Sequence, residues 1–154
     1  MDSLIIFGAK YLFLAVPLLF LLALYQASQK HKKQLILALV LALVIAAVLD
    51  KLAGKLYYDP RPFVSHHLKP LVSHAADNGF PSEHTLFSIT FGAVLFLYRR
   101  RLGAVVLAIG CIVGLARIGA HVHSPIDIIG GIALGLAAGY AGVLLSKKIL
   151  ARKD

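Results

Sequence analysis

Arg117, His123 and Asp127 stand close together in residues 116–127, between two long apolar runs. A guanidinium and a carboxylate beside hydrocarbon need partners or water. Ser124 and Pro125 predict the N-cap and first residue of a helix. His123 then precedes the helix, and Asp127 lies in its first turn. From there the carboxylate can accept a hydrogen bond from one imidazole nitrogen, leaving the other free to attack an electrophile. Ser124-x-x-Asp127 is also a capping-box pattern, in which Asp127 complements the helix dipole. The spacing alone allows both uses.

Two further segments carry groups suited to an anion. In residues 55–63, Lys55 and Arg61 supply two cations, and Pro60 and Pro62 restrict the backbone around Arg61. Arginine can grip phosphate oxygens bidentately, while lysine offers a point charge. Lys55 could equally snorkel to the membrane interface. In Pro81-Ser82-Glu83-His84, Ser82 predicts an N-cap. The free amides of a helix N-terminus make an anion site, and His84 on the first turn can reach it. A capped helix with a surface histidine is the plainer alternative.

The elements that must hold these groups are membrane spans. The chain has 154 residues, 59% of them hydrophobic, and a mean hydropathy of +0.82. The apolar residues fall in blocks of membrane length, which predicts an all-α integral membrane bundle with about five transmembrane helices. The predicted spans are residues 3–26, 34–53, 82–98, 102–119 and 125–145, in a single domain covering 1–154. Residues 54–80 form the one long polar loop. Pro17 is expected to kink the first span, which reads as a span rather than a cleaved signal peptide. Gly131, Gly135 and Gly139 make a small-residue face suited to helix packing.

The formal charge of +9 is clustered in Lys30, Lys32 and Lys33, in Arg99, Arg100 and Arg101, and in Lys147, Lys148, Arg152 and Lys153. These clusters punctuate the spans, so they read as topology signals rather than a nucleic-acid surface. With all three inside, the N-terminus lies outside and the C-terminus in the cytoplasm. Loop 54–80 and the turn at 119–124 then share the outer face. Cys111 is the only cysteine, which excludes an internal disulfide and a cysteine metal cluster.

Taken together, the three polar segments resemble the type-2 phosphatidic acid phosphatase family of membrane lipid phosphatases. The family's motifs are Lys-x6-Arg-Pro, Pro-Ser-Gly-His and Ser-Arg-x5-His-x3-Asp. Here they read Lys55-x5-Arg61-Pro62, Pro81-Ser82-Glu83-His84 and Ala116-Arg117-x5-His123-x3-Asp127. The first is one residue short, Glu83 replaces a glycine, and Ala116 replaces a serine. The acidic residue of the second motif and the stretch 55–63 are similar to the bacterial undecaprenyl pyrophosphate phosphatases of the bacitracin-resistance type.

The resemblance implies that His123 attacks phosphorus to form a phosphohistidine, with Asp127 orienting its ring and stabilising the developing positive charge; a carboxylate so placed is expected to raise the His123 pKa. It makes His84 the acid for the leaving oxygen and then the base for water. Lys55, Arg61, Ser82 and Arg117 would hold the phosphoryl oxygens. It implies a lipid pyrophosphate substrate in the bilayer of the cell membrane and an extracytoplasmic site, with no metal, cofactor, nucleic acid or obligatory protein partner. Phosphatidylglycerophosphate and phosphatidate are the alternative substrates within the family. The alternative of another class is a metal transporter lined by His66, His67, His74, His121 and His123.

Overall fold

The computed structural model describes residues 1–152. Lys153, assigned above to the third basic cluster, lies outside the described residues. The chain runs through α1 (Asp2–Lys10), a 3-10 turn (Leu12–Leu14), α2 (Ala15–Tyr25), α3 (Gln29–Leu56), the single turn α4 (Pro62–Ser65), α5 (Glu83–Tyr98), α6 (Arg100–Gly119) and α7 (Pro125–Leu150). Among the described residues there is no β-strand, only an isolated bridge between Pro60 and Asn78.

Four segments are long and apolar enough to cross a membrane: Asp2–Tyr25, Gln29–Leu56, Arg100–Gly119 and Pro125–Leu150. The fifth expected span is the shorter apolar helix α5. With 16 residues, α5 reaches only about 24 Å, short of a ~30 Å hydrocarbon core. It is the enclosed central helix, packed by α3, α6 and α7, with Leu86, Ile89, Val94 and Leu95 fully buried. Large apolar side chains such as Leu18, Val44, Leu115 and Ile129 are exposed on the outer helices. In a membrane those surfaces face lipid.

Close packing comes from small residues. A methyl at Gly135 would meet the Leu86 carbonyl of α5 at 2.6 Å, and one at Gly139 would meet Ala93 at 2.5 Å. Gly142 faces Ala42 of α3 in the same way, at 2.6 Å. The glycine face therefore seats α7 between α5 and α3 rather than offering a surface to a second copy.

Several boundaries differ from the sequence-based expectation. Lys30, His31, Lys32 and Lys33 do not form a turn; they are the first turns of α3, which starts after Ser28. Lysine is a good helix former, and these side chains face water beyond the apolar run. The kink of the first span falls before Pro17, at Tyr11–Leu14. Pro17 cannot donate to the Phe13 carbonyl, and its ring crowds that group, so the distortion appears one turn earlier.

At one end of the bundle, Arg99 donates to the Gln26 side chain at 2.7 Å and to its carbonyl at 3.1 Å. Tyr98 lies 3.5 Å from Ser146 there. The basic residues near 30, 99 and 147 thus gather at this end, and the three motif segments gather at the other.

Candidate active site

Three segments far apart in the chain are joined at that other end by backbone hydrogen bonds. Phe63 donates to the His121 carbonyl at 3.1 Å, Leu71 to Ala120 at 3.1 Å, and Ser82 to Asp127 at 3.1 Å. Asn78 acts as a clasp. Its amide donates to the carbonyls of Gly54 and Tyr57, each at 2.9 Å. Its oxygen accepts from the amides of Asp59 at 2.9 Å and Phe80 at 3.0 Å. The long loop is thereby fixed to the end of α3 although most of it is irregular.

His123 is 3% exposed. Its Nδ1 lies 3.1 Å from Asp127 Oδ2, the same oxygen that accepts from the Ser124 amide at 2.9 Å. The two uses that the spacing left open therefore hold together. Asp127 caps α7 and orients the imidazole, which leaves the Nε2 lone pair facing outward. Gly79 packs against this pair so closely that a methyl there would stand 2.7 Å from Asp127 Oδ2. Ser124 Oγ donates to Asp59 Oδ2 behind it.

The outward nitrogen opens on a cavity of about 260 Å³ lined by Lys51, Arg61, His74, His84, Arg117 and His123, with Asp50 and Glu83 on its flank. The two arginines differ in availability. Arg61 is committed to protein: Nε donates to Asp77 at 2.7 Å, Nη1 to the Val122 carbonyl at 2.8 Å, and Nη2 to the Asn78 carbonyl at 3.2 Å. Its Nη1 also lies 3.3 Å from His123 Nε2. The guanidinium beside Asp77 holds that carboxyl below the usual carboxylate range. Among the described residues, Arg117 is anchored only through Nη1, to the Ala9 carbonyl at 3.1 Å. Its Nε and Nη2 are buried with no partner, the edge with which arginine grips an oxyanion side-on.

Burial pushes the His123 pKa down. The Asp127 hydrogen bond offsets part of this, while Arg117 and Arg61 add to it. This corrects the expectation that Asp127 would raise it, because two cations and an enclosed site outweigh one carboxylate. His74 sits edge-on to His123, with ring centroids 6.0 Å apart. Burial, then Arg61 and Arg117, lower its pKa to about 4, so it is neutral at physiological pH.

Of the residues singled out from sequence, Arg61, His84, Arg117 and His123 line this cavity, with Asp127 directly behind His123. Lys55 does not; it is exposed on α3. One helical residue is worth about 100° of rotation. At the family's full spacing the position is Gly54, which does line the cavity, and the shortened spacing carries Lys55 off that face. Lys51, one turn earlier, lines it instead. Ser82 takes the N-cap position but is fully buried. Its hydroxyl accepts from Thr85 at 3.1 Å, so it belongs to the seam between α5 and α7.

The loop histidines divide. His74 reaches the site, His66 and His67 are exposed, and His121 lies 3.2 Å from the Lys69 carbonyl with a φ of 63°. Among the described residues, no three His, Cys, Asp or Glu side chains come together as metal ligands would. Sequence reasoning passed over Lys51, Asn78 and Gly79, which carry no local signature. The proximity of Lys51 to Lys55 was the only available hint.

His84 stands where the cavity meets an apolar groove. Phe13, held by the 3-10 turn, packs edge-on against it at 4.6 Å. The groove, about 230 Å³, runs between α2 and α5 past Val16, Pro17, Phe87 and Phe91, with Glu83 and His84 at its mouth. A cationic chamber with a poised imidazole, opening on an apolar groove, suits an amphiphile with a phosphorylated head.

The PAP2 superfamily model matches residues 32–150, and the chain belongs to this family of phosphatases. Within it, the chain is similar to the undecaprenyl-diphosphatase BcrC of Bacillus subtilis (strain 168), at 29% identity over 140 residues, covering 91% of this chain and 72% of that protein. It is 34% identical over 138 residues to YbjG of Escherichia coli (strain K12), covering 88% of this chain and 69% of that one. The crystal structure of Aquifex aeolicus LpxE superposes with a TM-score of 0.69 at 25% identity, covering 92% of this chain and 84% of that one. The chain is thus a multi-pass membrane phosphatase whose substrate is a lipid in the bilayer.

Proposed function

We propose that the chain hydrolyses a lipid pyrophosphate, undecaprenyl pyrophosphate to undecaprenyl phosphate, through a phosphohistidine on His123. The observation that carries this reading is the His123–Asp127 pair, with Nε2 turned toward Arg61 in a cavity that Arg117 also lines and that adjoins an apolar groove. The likeness to the Bacillus undecaprenyl-diphosphatase supports the choice of lipid.

Nε2 attacks the terminal phosphorus as the bond to the bridging oxygen breaks, and His84 gives its proton to that oxygen. The released His84 then takes a proton from water, whose oxygen displaces the imidazole and yields inorganic phosphate. Arg117 grips the phosphoryl oxygens by its Nε–Nη2 edge. Arg61 turns one Nη1 proton from His123 to the same group, and Lys51 adds positive field. In this reading the chain's own cations stabilise the transition state, and no metal is required. The apolar groove takes the first part of the tail.

A panel of undecaprenyl pyrophosphate, phosphatidylglycerophosphate and phosphatidate, assayed with and without EDTA, tests this. The pyrophosphate should give the highest kcat/KM, unchanged by EDTA. Preference for a glycerolipid would reassign the substrate. Loss on chelation, restored by a divalent metal, would reassign the chemistry.

The basic residues at the opposite end of the bundle support an inner position for that end and an outer one for the catalytic cavity. Both Ser73 and Lys148 are exposed. Cysteines placed there in a Cys111→Ser background should differ in intact cells, an impermeant maleimide labelling position 73 and sparing 148. The reverse pattern would invert the orientation, and with it a role in recycling carrier lipid outside the cytoplasm.

A further inference from the structure

We propose that Lys10 forms a subsite for the second phosphate of a lipid diphosphate, beside the reacting phosphate that Arg117 grips; this rests on the phosphatase reading above. A cavity of about 340 Å³ lies between α1 and the long loop, and His74, His84 and Arg117 line both it and the catalytic cavity. Lys10 and Ser73 also line it. The two chambers therefore meet at Arg117 and His84.

Three observations make this an anion site. Arg117 is 3% exposed, yet its Nε and Nη2 have no partner. Its Nη1 is tied to the carbonyl of Ala9, the residue before Lys10. Lys10 is exposed, with its ammonium 5.3 Å from the centre of the Tyr11 ring, and it pairs with no carboxylate among the described residues, whose ion pairs are Arg61 with Asp77 and His123 with Asp127. A lysine in an apolar segment is costly and calls for an anionic partner or an escape to water. Gly8 packs on Ala116 of α6, which sets Lys10, the last residue of α1, level with Arg117.

The order of groups in the substrate matches the order of groups in the protein. The terminal phosphate meets His123. The bridging oxygen, which takes the proton from His84, lies where the two cavities join. The second phosphate then falls on the Lys10 side. The tail leaves along the groove whose wall starts at Phe13, three residues past Lys10. A monophosphate ester would fill only the first position. Lys10, which lines this second cavity, thus selects diphosphates.

The test uses the full chain in detergent with farnesyl diphosphate and farnesyl monophosphate, which share one tail. The measured quantity is the ratio of their kcat/KM values, from which any loss of folded protein cancels. Lys10→Met should lower the ratio by about tenfold, and Lys10→Arg should hold it within about twofold, as expected for a charge-assisted contact to one substrate only. An unchanged ratio in Lys10→Met, or equal losses on both lipids, overturns the subsite and leaves Lys10 as a snorkelling residue. A wild type inactive on both lipids would instead remove the phosphatase reading on which the subsite rests.

Discussion

Replacing His123 with alanine should abolish turnover, by about 10⁴-fold or more, and should abolish the phosphoenzyme with it. The His123 Nδ1 is held by a buried carboxylate, which aims Nε2 at the cavity. Asp127→Asn should be milder, about 10²- to 10³-fold, because the nucleophile remains while its tautomer and angle are no longer fixed. Rapid-quench labelling with a radiolabelled terminal phosphate separates the two: no label in His123→Ala, slowly acquired label in Asp127→Asn. Label retained in His123→Ala would move the nucleophile to His74 or His84.

The same residue sets the acid side of the pH profile. Burial and the two arginines lower its pKa, so the neutral, attacking form persists below the ordinary histidine value of ~6.5. The acid limb of kcat/KM should accordingly fall below that value. A limb above it would contradict the assignment.

The second large effect is expected at Arg117. Arg117→Lys keeps the charge but loses the planar Nε–Nη2 edge, and kcat/KM should fall by about 10²-fold, or ~2.7 kcal/mol of transition-state stabilisation. Arg61→Lys should differ in kind. Arg61 bonds Asp77, Val122 and Asn78, so its replacement loosens the loop as well as the site and should lower thermal stability together with activity. Steady-state kinetics and thermal unfolding of both variants check the contrast. Arg117→Lys within threefold of wild type would mean that the arginine braces α1 through Ala9 and does not grip phosphate.

The parts of this protein that could be read directly were those in which neighbours in sequence are neighbours in space. His123 and Asp127 are four residues apart across a helix start, so their contact follows from the Ser124-Pro125 cap and the helical rise. Ser82 as the residue before α5, and the glycine face of α7, were legible for the same reason. Apolar composition defined the membrane character, but not which helix is central. The enclosure of α5 depends on how the others pack around it.

What the sequence by itself determined was the chemistry available: one orientable imidazole, a second histidine on a helix start, and arginines beside them. Only the tertiary structure decided which cations face the cavity, because that depends on helix rotation and on docking between distant segments. One residue of spacing turns Lys55 away, and Lys51 and Lys10 reach the cavities from α3 and α1. His74, Asn78 and Gly79 sit in a loop without periodicity, and their roles exist only once that loop is hydrogen-bonded to the end of α3 and the turn before α7. Local patterns encode backbone geometry within a few residues; the division of labour between Arg61 and Arg117 arises from contacts that span most of the chain, such as the one from Arg117 to Ala9.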